Sequence, residues 1–315
     1  FGFGSGESIT TGQYNSAFGS DSLDALTTGT RNTAFGNDTL SADTLGSRAV
    51  AVGLGALQNQ NFTSATDNYN VAVGFQAGND VTTGINNTLI GGLAGDAITT
   101  GGSNTAVGAY SMTTLTTGAN NVAVGTSALD VATTGSSNTA IGRDALGANT
   151  TASNNTAVGY RAGYVITTGA ENVAIGANAL DANTTGASNV AVGQGSLDTN
   201  TTGGQNTAVG HDSMKLNTTG VENAALGKGS LNANTEGDYN TAVGRSALGG
   251  NTTADSNTAV GYHALVDNTT GAKNTAVGRY AGANTTTASN NTILGADAFF
   301  TNTTGASNTA VGMGS

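Results

Sequence analysis

The chain has 315 residues, and 49 of them are Gly. Charged residues make up 9%, against about 25% in an ordinary soluble domain. There is no Cys, which excludes a disulfide framework and a cysteine metal site, and a net charge of −11 is the wrong sign for a nucleic-acid binder. No apolar run approaches the roughly 18 residues of a membrane span.

High Gly and low charge would suit a disordered linker. The order of the residues argues otherwise, because a pentapeptide of the form Asn-(Thr/Val)-Ala-(Val/Ile)-Gly recurs in phase. Its glycine falls at Gly2, Gly19, Gly36 and Gly53, then at Gly74, Gly91 and Gly108, and onward to Gly295 and Gly312. Each step is 17 residues except Gly53 to Gly74, which is 21. The unit reads N-T-A-V-G-x-x-A-L-x-x-N-T-T-G-x-x, numbered 1 to 17. Such a unit has room for short strands and turns but not for a helix pair, and stacking it predicts a parallel β-solenoid. Eighteen coils at about 4.8 Å each extend roughly 85 Å.

Along the unit, Asn at position 1 is expected to stack into a ladder of side-chain amides. Positions 2 to 4 form a strand rich in Val, Thr and Ile. Positions 2 and 4 share a face, as in Val122/Val124, Val173/Ile175 and Thr105/Val107. Being β-branched, this pair is expected to point into the coil. Position 3 then faces outward, yet it is Ala in 16 of 18 copies, with Leu89 and Ile293 as exceptions. That stripe, with the small residues of position 8 (Ala128, Ser196, Ala247), predicts a subunit interface. Gly at 5 and 15 supplies corners that need φ > 0 or close backbone approach. Leu at 9 (Leu129, Leu180, Leu265) and the residue at 12 (Ile98, Leu115, Ile166) close the interior.

In chain order, six of the eight Phe fall in the first 75 residues: Phe1, Phe3, Phe18, Phe35, Phe62 and Phe75. Phe18 and Phe35 occupy position 4, which predicts a wider core there, as in a cap or a junction. The four-residue insertion, within Gln58–Tyr69, is expected to bulge as a surface loop and leave the stack continuous. Position 12 turns mainly to Asn from Asn183 onward. Asp recurs at position 7 (Asp21, Asp38, Asp144, Asp212, Asp297) and at position 10 (Asp24, Asp130, Asp181, Asp198), too sparsely for a calcium roll. His211 and His263 are three repeats apart and decorate the surface. No catalytic triad, zinc spacing or phosphate-binding loop is present, so no catalytic, cofactor-binding or metal residue is assigned. The Thr pairs at 13 and 14, such as Thr184 and Thr185, are adjacent and point to opposite faces, which disfavours a two-rank ice-binding array.

The segments Asn121–Gly125, Asn172–Gly176 and Asn189–Gly193 resemble the head repeat of trimeric autotransporter adhesins, which carries an N-S-V-A-I-G type motif in a YadA-like left-handed parallel β-roll. The small residue three after the glycine (Ala179, Ser196) also matches. The adhesin coil is shorter, and the N-T-T-G segment is an addition. The resemblance covers essentially the whole chain, and similar repeats occur in phage tail fibres. It implies a trimeric extracellular fibre that adheres to surfaces without catalysis.

The sequence therefore predicts an all-β chain: one parallel solenoid over residues 1–315, a homotrimer, and the repeat region of a longer fibre protein. Its expected role is a structural and adhesive shaft or head at the cell or virion surface. Its expected partner is a surface receptor or matrix, with no nucleic acid and no cofactor. The alternatives are a phage tail fibre segment and an ice-binding β-solenoid.

Overall fold

A computed structural model describes residues 2–315. Among these residues the secondary structure is all β, built from three-residue parallel strands at positions 2 to 4 of the repeat. The chain divides into two compact units, one ending at Asn155 and the other spanning Thr156–Ser315. The first contains eight such strands, from Ser16–Phe18 to Thr139–Ile141, and the second ten, from Thr156–Val158 to Thr309–Val311. Each strand pairs in register with its equivalent one repeat away, for example Val122 with Thr139 in the first unit and Thr156 with Val173 in the second. The β-solenoid expected from the 17-residue period is the fold observed.

The Asn ladder forms as expected. The backbone N–H of Asn189 donates to Asn172 Oδ1 at 2.9 Å, and Asn189 Nδ2 donates to the Gly203 carbonyl at 2.9 Å. The same two bonds recur at Asn104, Asn138 and Asn257, where the side chains are fully buried. Each amide thus links successive coils and also joins the start of its own coil to position 15, satisfying groups that would be costly if buried unpaired. Leu129, Leu180 and Leu265 at position 9 are fully buried, as are Ile98 and Leu115 at position 12.

The direction of the strand faces corrects the sequence reading. Position 3 points inward: Ala123, Ala140, Ala157 and Ala191 have no exposed surface. Positions 2 and 4 point outward and are part-exposed or exposed. The Ala stripe is therefore core, and so is position 8, where Ala128, Ser196 and Ala247 are fully buried. The physical reason is the narrowness of the coil. Leu from position 9 fills the interior and leaves only methyl-sized room beneath the strand. The two exceptions at position 3 bear this out. A Cβ on Gly78 would meet Leu89 Cδ1 at 2.6 Å, and one on Gly282 would meet Ile293 Cδ1 at 2.6 Å. Both glycines stand at position 9, so the larger residue at 3 fills the volume that Leu occupies elsewhere.

Phe18 and Phe35 are likewise outside. They are 46% and 54% exposed and stack on each other, with ring centroids 4.9 Å apart. The core is not widened by them. Phe62 is buried, and Phe1 lies outside the described residues.

The corners combine two requirements. Gly176 at position 5 has φ +132°, and a Cβ there would lie 2.7 Å from the carbonyl C and O of Gly193. Positions 7, 9 and 17 also adopt positive φ with side chains in place, as at Asp144, Leu146 and Asn154. No Val, Ile or Thr stands among these left-handed residues, consistent with the steric cost of β-branching there.

The insertion is more embedded than a bulging loop. Thr63–Ala65 is exposed, but Gln60 and Asn68 are fully buried and Phe62 nearly so. Thr66–Asp67 pairs in parallel with Gly46–Ser47. The main sheet stays in register across it, with Val50 opposite Val71. The segment also repairs the ladder. Position 1 of this coil is Ala49 in place of Asn, and the Asn70 N–H donates instead to Asn68 Oδ1 at 2.9 Å.

Candidate functional site

The outward face of the strands is the surface that distinguishes this chain from an ordinary solvated solenoid. In-register pairing places the residues of positions 2 and 4 in two ranks. In the second unit, position 4 presents Val158, Ile175, Val192, Val209 and Leu226, and position 2 presents Thr156, Val173, Val190, Thr207 and Ala224. The first unit, taken by itself, has the same pattern, as in Val122/Val124 and Thr139/Ile141, and it begins with Phe18 and Phe35. No charged residue occurs at positions 2 or 4 in any strand. Within each unit this face is uncharged and mixes Thr with Val, Ile and Leu. Sequence reasoning expected these residues in the core and placed the subunit interface at positions 3 and 8, which are buried. The β-branching at positions 2 and 4 suits a pleated surface and carries no information on which face is buried.

The threonines behave differently from one another. Position 13 donates from Oγ1 to the position 13 carbonyl of the next coil, as in Thr184 to Thr201 at 3.0 Å and Thr252 to Thr269 at 3.1 Å. Position 14 is exposed, as at Thr117, Thr185 and Thr270. The pair therefore splits between the backbone ladder and solvent, as expected of adjacent residues.

The acidic columns do not converge on a site. Among the described residues no three His, Asp or Glu side chains are grouped to hold a metal ion. Asp24, Asp96, Asp181 and Asp198, all at position 10, have pKa values raised chiefly by burial. Asp181 is held by Arg161 at 3.1 Å, and the guanidinium also lies over the Tyr164 ring. His211 and Lys215 both contact Asp212, at 2.8 and 3.1 Å. His263 stacks on Tyr262 at 4.1 Å between centroids. The two histidines thus stand in separate surroundings. No helix long and apolar enough to cross a membrane occurs among the described residues.

Comparison with known proteins yields no match to a protein-family model, to a curated protein or to a solved structure.

Proposed function

We propose that this chain is a structural and adhesive segment of an extracellular fibre, and that it self-associates through the outer face of its strands. The observation that carries the reading is the pair of uncharged ranks at positions 2 and 4. A three-fold arrangement of parallel copies would place these ranks against one another and remove them from water. The likeness of the pentapeptide to trimeric adhesin heads supports three copies over two. The same reading covers a tail fibre on a virion, which differs in what anchors the chain. The role is mechanical and non-catalytic, exercised at a cell or virion surface toward a receptor or matrix.

The test is native mass by sedimentation equilibrium, with the triple variant Ile175→Glu, Val192→Glu, Val209→Glu beside the wild type. A trimer that dissociates to folded monomers in the variant is the expected result. A monomeric wild type would overturn the reading.

One observation favours a second reading, an ice-binding solenoid. The outer face holds a Thr/Val rank beside a Val/Ile rank on one side of the sheet, so two regular ranks exist where the Thr-Thr pair supplies only one. Thermal hysteresis from a monomeric chain, abolished by Thr258→Lys with Thr275→Lys, would select this reading.

A further inference from the structure

The second unit carries an aromatic cluster that the solenoid does not require. Tyr262 and His263 stand at positions 6 and 7 of one coil, Tyr280 at position 7 of the next, and Phe300 at position 10 of the one after. Ring centroids lie 5.3 Å apart for Tyr262 and Tyr280 and 6.2 Å for Tyr280 and Phe300. The Tyr280 ring is nearly perpendicular to both neighbours, at 86° and 81°. Other coils of the same unit fill positions 6 and 7 with Ala177 and Asn178 or with Gln194 and Gly195. The fold therefore has no need of rings there. Tyr262 and Phe300 nonetheless keep 40% and 41% of their surface exposed.

Polar groups flank the rings. Arg279 Nη2 bonds Asp297 Oδ2 at 2.8 Å, and the guanidinium lies over the Tyr280 ring. Arg245 lies over the Tyr262 ring. The surface thus alternates apolar ring area with paired donors and acceptors, along an axis that advances about 4.8 Å per coil.

We propose that this cluster is a binding site for a neutral oligosaccharide of hexopyranose units. One face of a pyranose ring presents C–H groups that pack on aromatic carbon, while its edge presents hydroxyl pairs. Phe300 and the exposed part of Tyr262, one face of which is stacked by His263, supply the ring contacts. The Arg279–Asp297 pair supplies a donor and an acceptor side by side for vicinal hydroxyls. The coil advance is close to the length of one sugar residue, so successive units of an extended chain meet successive coils. Single-stranded nucleic acid also stacks on aromatics flanked by Arg, but the net charge of −11 opposes a phosphate backbone. The site names the ligand class for the adhesive role and rests on that reading for its biological use.

The test is binding of the full chain to cellohexaose, laminarihexaose, chitohexaose and mannohexaose, followed by saturation-transfer NMR and calorimetry. At least one is expected to bind. The double variant Tyr262→Leu, Phe300→Leu keeps apolar bulk but removes the ring faces, and should weaken binding by about tenfold or more. Tyr110→Leu, an exposed tyrosine of the first unit, should leave it unchanged. An unaltered melting curve shows that the double variant is folded. Should it not fold, Arg279→Gln is the replacement and the same loss is expected. No binding to any of the four sugars, binding indifferent to these variants, or preference for oligothymidylate overturns the proposal. Native mass separates this from the fibre reading: a trimer that ignores sugars loses the ligand only, and a sugar-binding monomer loses the fibre only.

Discussion

The two units close the same position of the coil with opposite chemistry. In the first, position 12 is mostly aliphatic: Leu26, Val81, Ile98 and Leu115 are fully buried. In the second, Asn183, Asn200, Asn217, Asn234, Asn251 and Asn268 occupy it, also fully buried. The amides succeed because the repeat satisfies them. Asn217 Nδ2 donates to Asn200 Oδ1 at 2.8 Å and to the Gly220 carbonyl at 3.0 Å, and Asn234 Nδ2 donates in turn to Asn217 Oδ1 at 2.8 Å. A one-dimensional stack offers every side chain an identical partner one coil away, so polarity costs little provided the run is unbroken. Its end shows the proviso: Thr285 follows Asn268, and both Asn268 Oδ1 and Thr285 Oγ1 are buried without a hydrogen-bond partner. The aliphatic core of the first unit has no such dependence on its neighbours' identity.

The largest test leaves that contrast aside and breaks what both units share. Gly176→Val places a β-branched residue at φ +132° with its Cβ against the Gly193 backbone. Strain and overlap together should cost at least about 3 kcal/mol in urea unfolding. A loss no larger than an ordinary surface substitution would show that the corner can relax.

The contrast itself is tested by Asn217→Leu. Asn200 Oδ1 loses its donor and Asn234 Nδ2 one of its acceptors, both buried, for a loss of about 2–4 kcal/mol. Replacing all six ladder asparagines by Leu should recover most of that, because an amide run exchanged whole leaves no orphan within it. In the first unit, Leu115→Ala should cost about 2–5 kcal/mol through the cavity alone, with no recovery from changing its neighbours. If the sixfold variant is no better than the single one, packing and not amide pairing governs this position.

Much of this architecture was legible in the sequence. The phase of Gly19, Gly36 and Gly53 gave the coil, Asn at position 1 gave the ladder, and Leu129 and Leu180 gave the core. The strand face was not legible, because Thr-Ala-Val is apolar enough on both sides that alternation leaves parity open, and a one-residue choice reverses every side chain. Size misled: Ala looked like a contact surface and Val like core, whereas Leu at position 9 decides how much room remains. A usable signal lay in the pairing of Leu89 and Ile293 with Gly78 and Gly282, each at position 9 of the preceding coil. A second lay in the left-handed positions 7, 9 and 17. They hold Asp, Leu, Tyr, Arg and Ser but never Val, Ile or Thr, although Thr is abundant and Val fills many strands. The aromatic cluster escaped notice because its members occupy three different repeat positions and meet only when coils are stacked.

A smaller effect is expected from shortening the insertion, which tests whether the first unit needs it. Deleting Thr63–Thr66 removes the exposed run and half of the two-residue pairing with Gly46–Ser47, while keeping Gln60, Phe62 and Asn68. Stability should change by no more than about 1 kcal/mol, since loop length enters only logarithmically. Asn68→Ala, by contrast, leaves the buried Asn70 N–H without its acceptor and should cost about 1–2 kcal/mol. Unfolding on the deletion would make the insertion a structural boundary.

The least effect concerns Asp43, a carboxylate at position 12 of the first unit, where Gln60 and Asn149 also depart from the aliphatic pattern. Asp43 is fully buried between Leu26 and Gln60 in the column. Its Oδ1 accepts from the Gly46 N–H at 2.9 Å and its Oδ2 from Gln60 Nε2 at 2.7 Å. Gln60 Oε1 accepts in turn from Asn70 Nδ2 at 2.8 Å. Burial pushes the Asp43 pKa up, and the hydrogen bonds pull against it without reversing the direction. An acid whose pKa is raised by folding is easier to ionise in the unfolded chain. Its contribution is therefore most favourable below the unfolded carboxylate range, declines as pH climbs toward the folded pKa, and is flat above it. Asp24, Asp96, Asp181 and Asp198 are raised by the same cause and add to the slope with the same sign. Urea unfolding across the acid range should thus show stability falling with rising pH over that window, and Asp43→Asn should flatten the fall without abolishing it. An unchanged slope would mean that Gln60 and the backbone donors hold the carboxylate as well as water does. The first unit would then tolerate charge at position 12 as readily as the second tolerates amides.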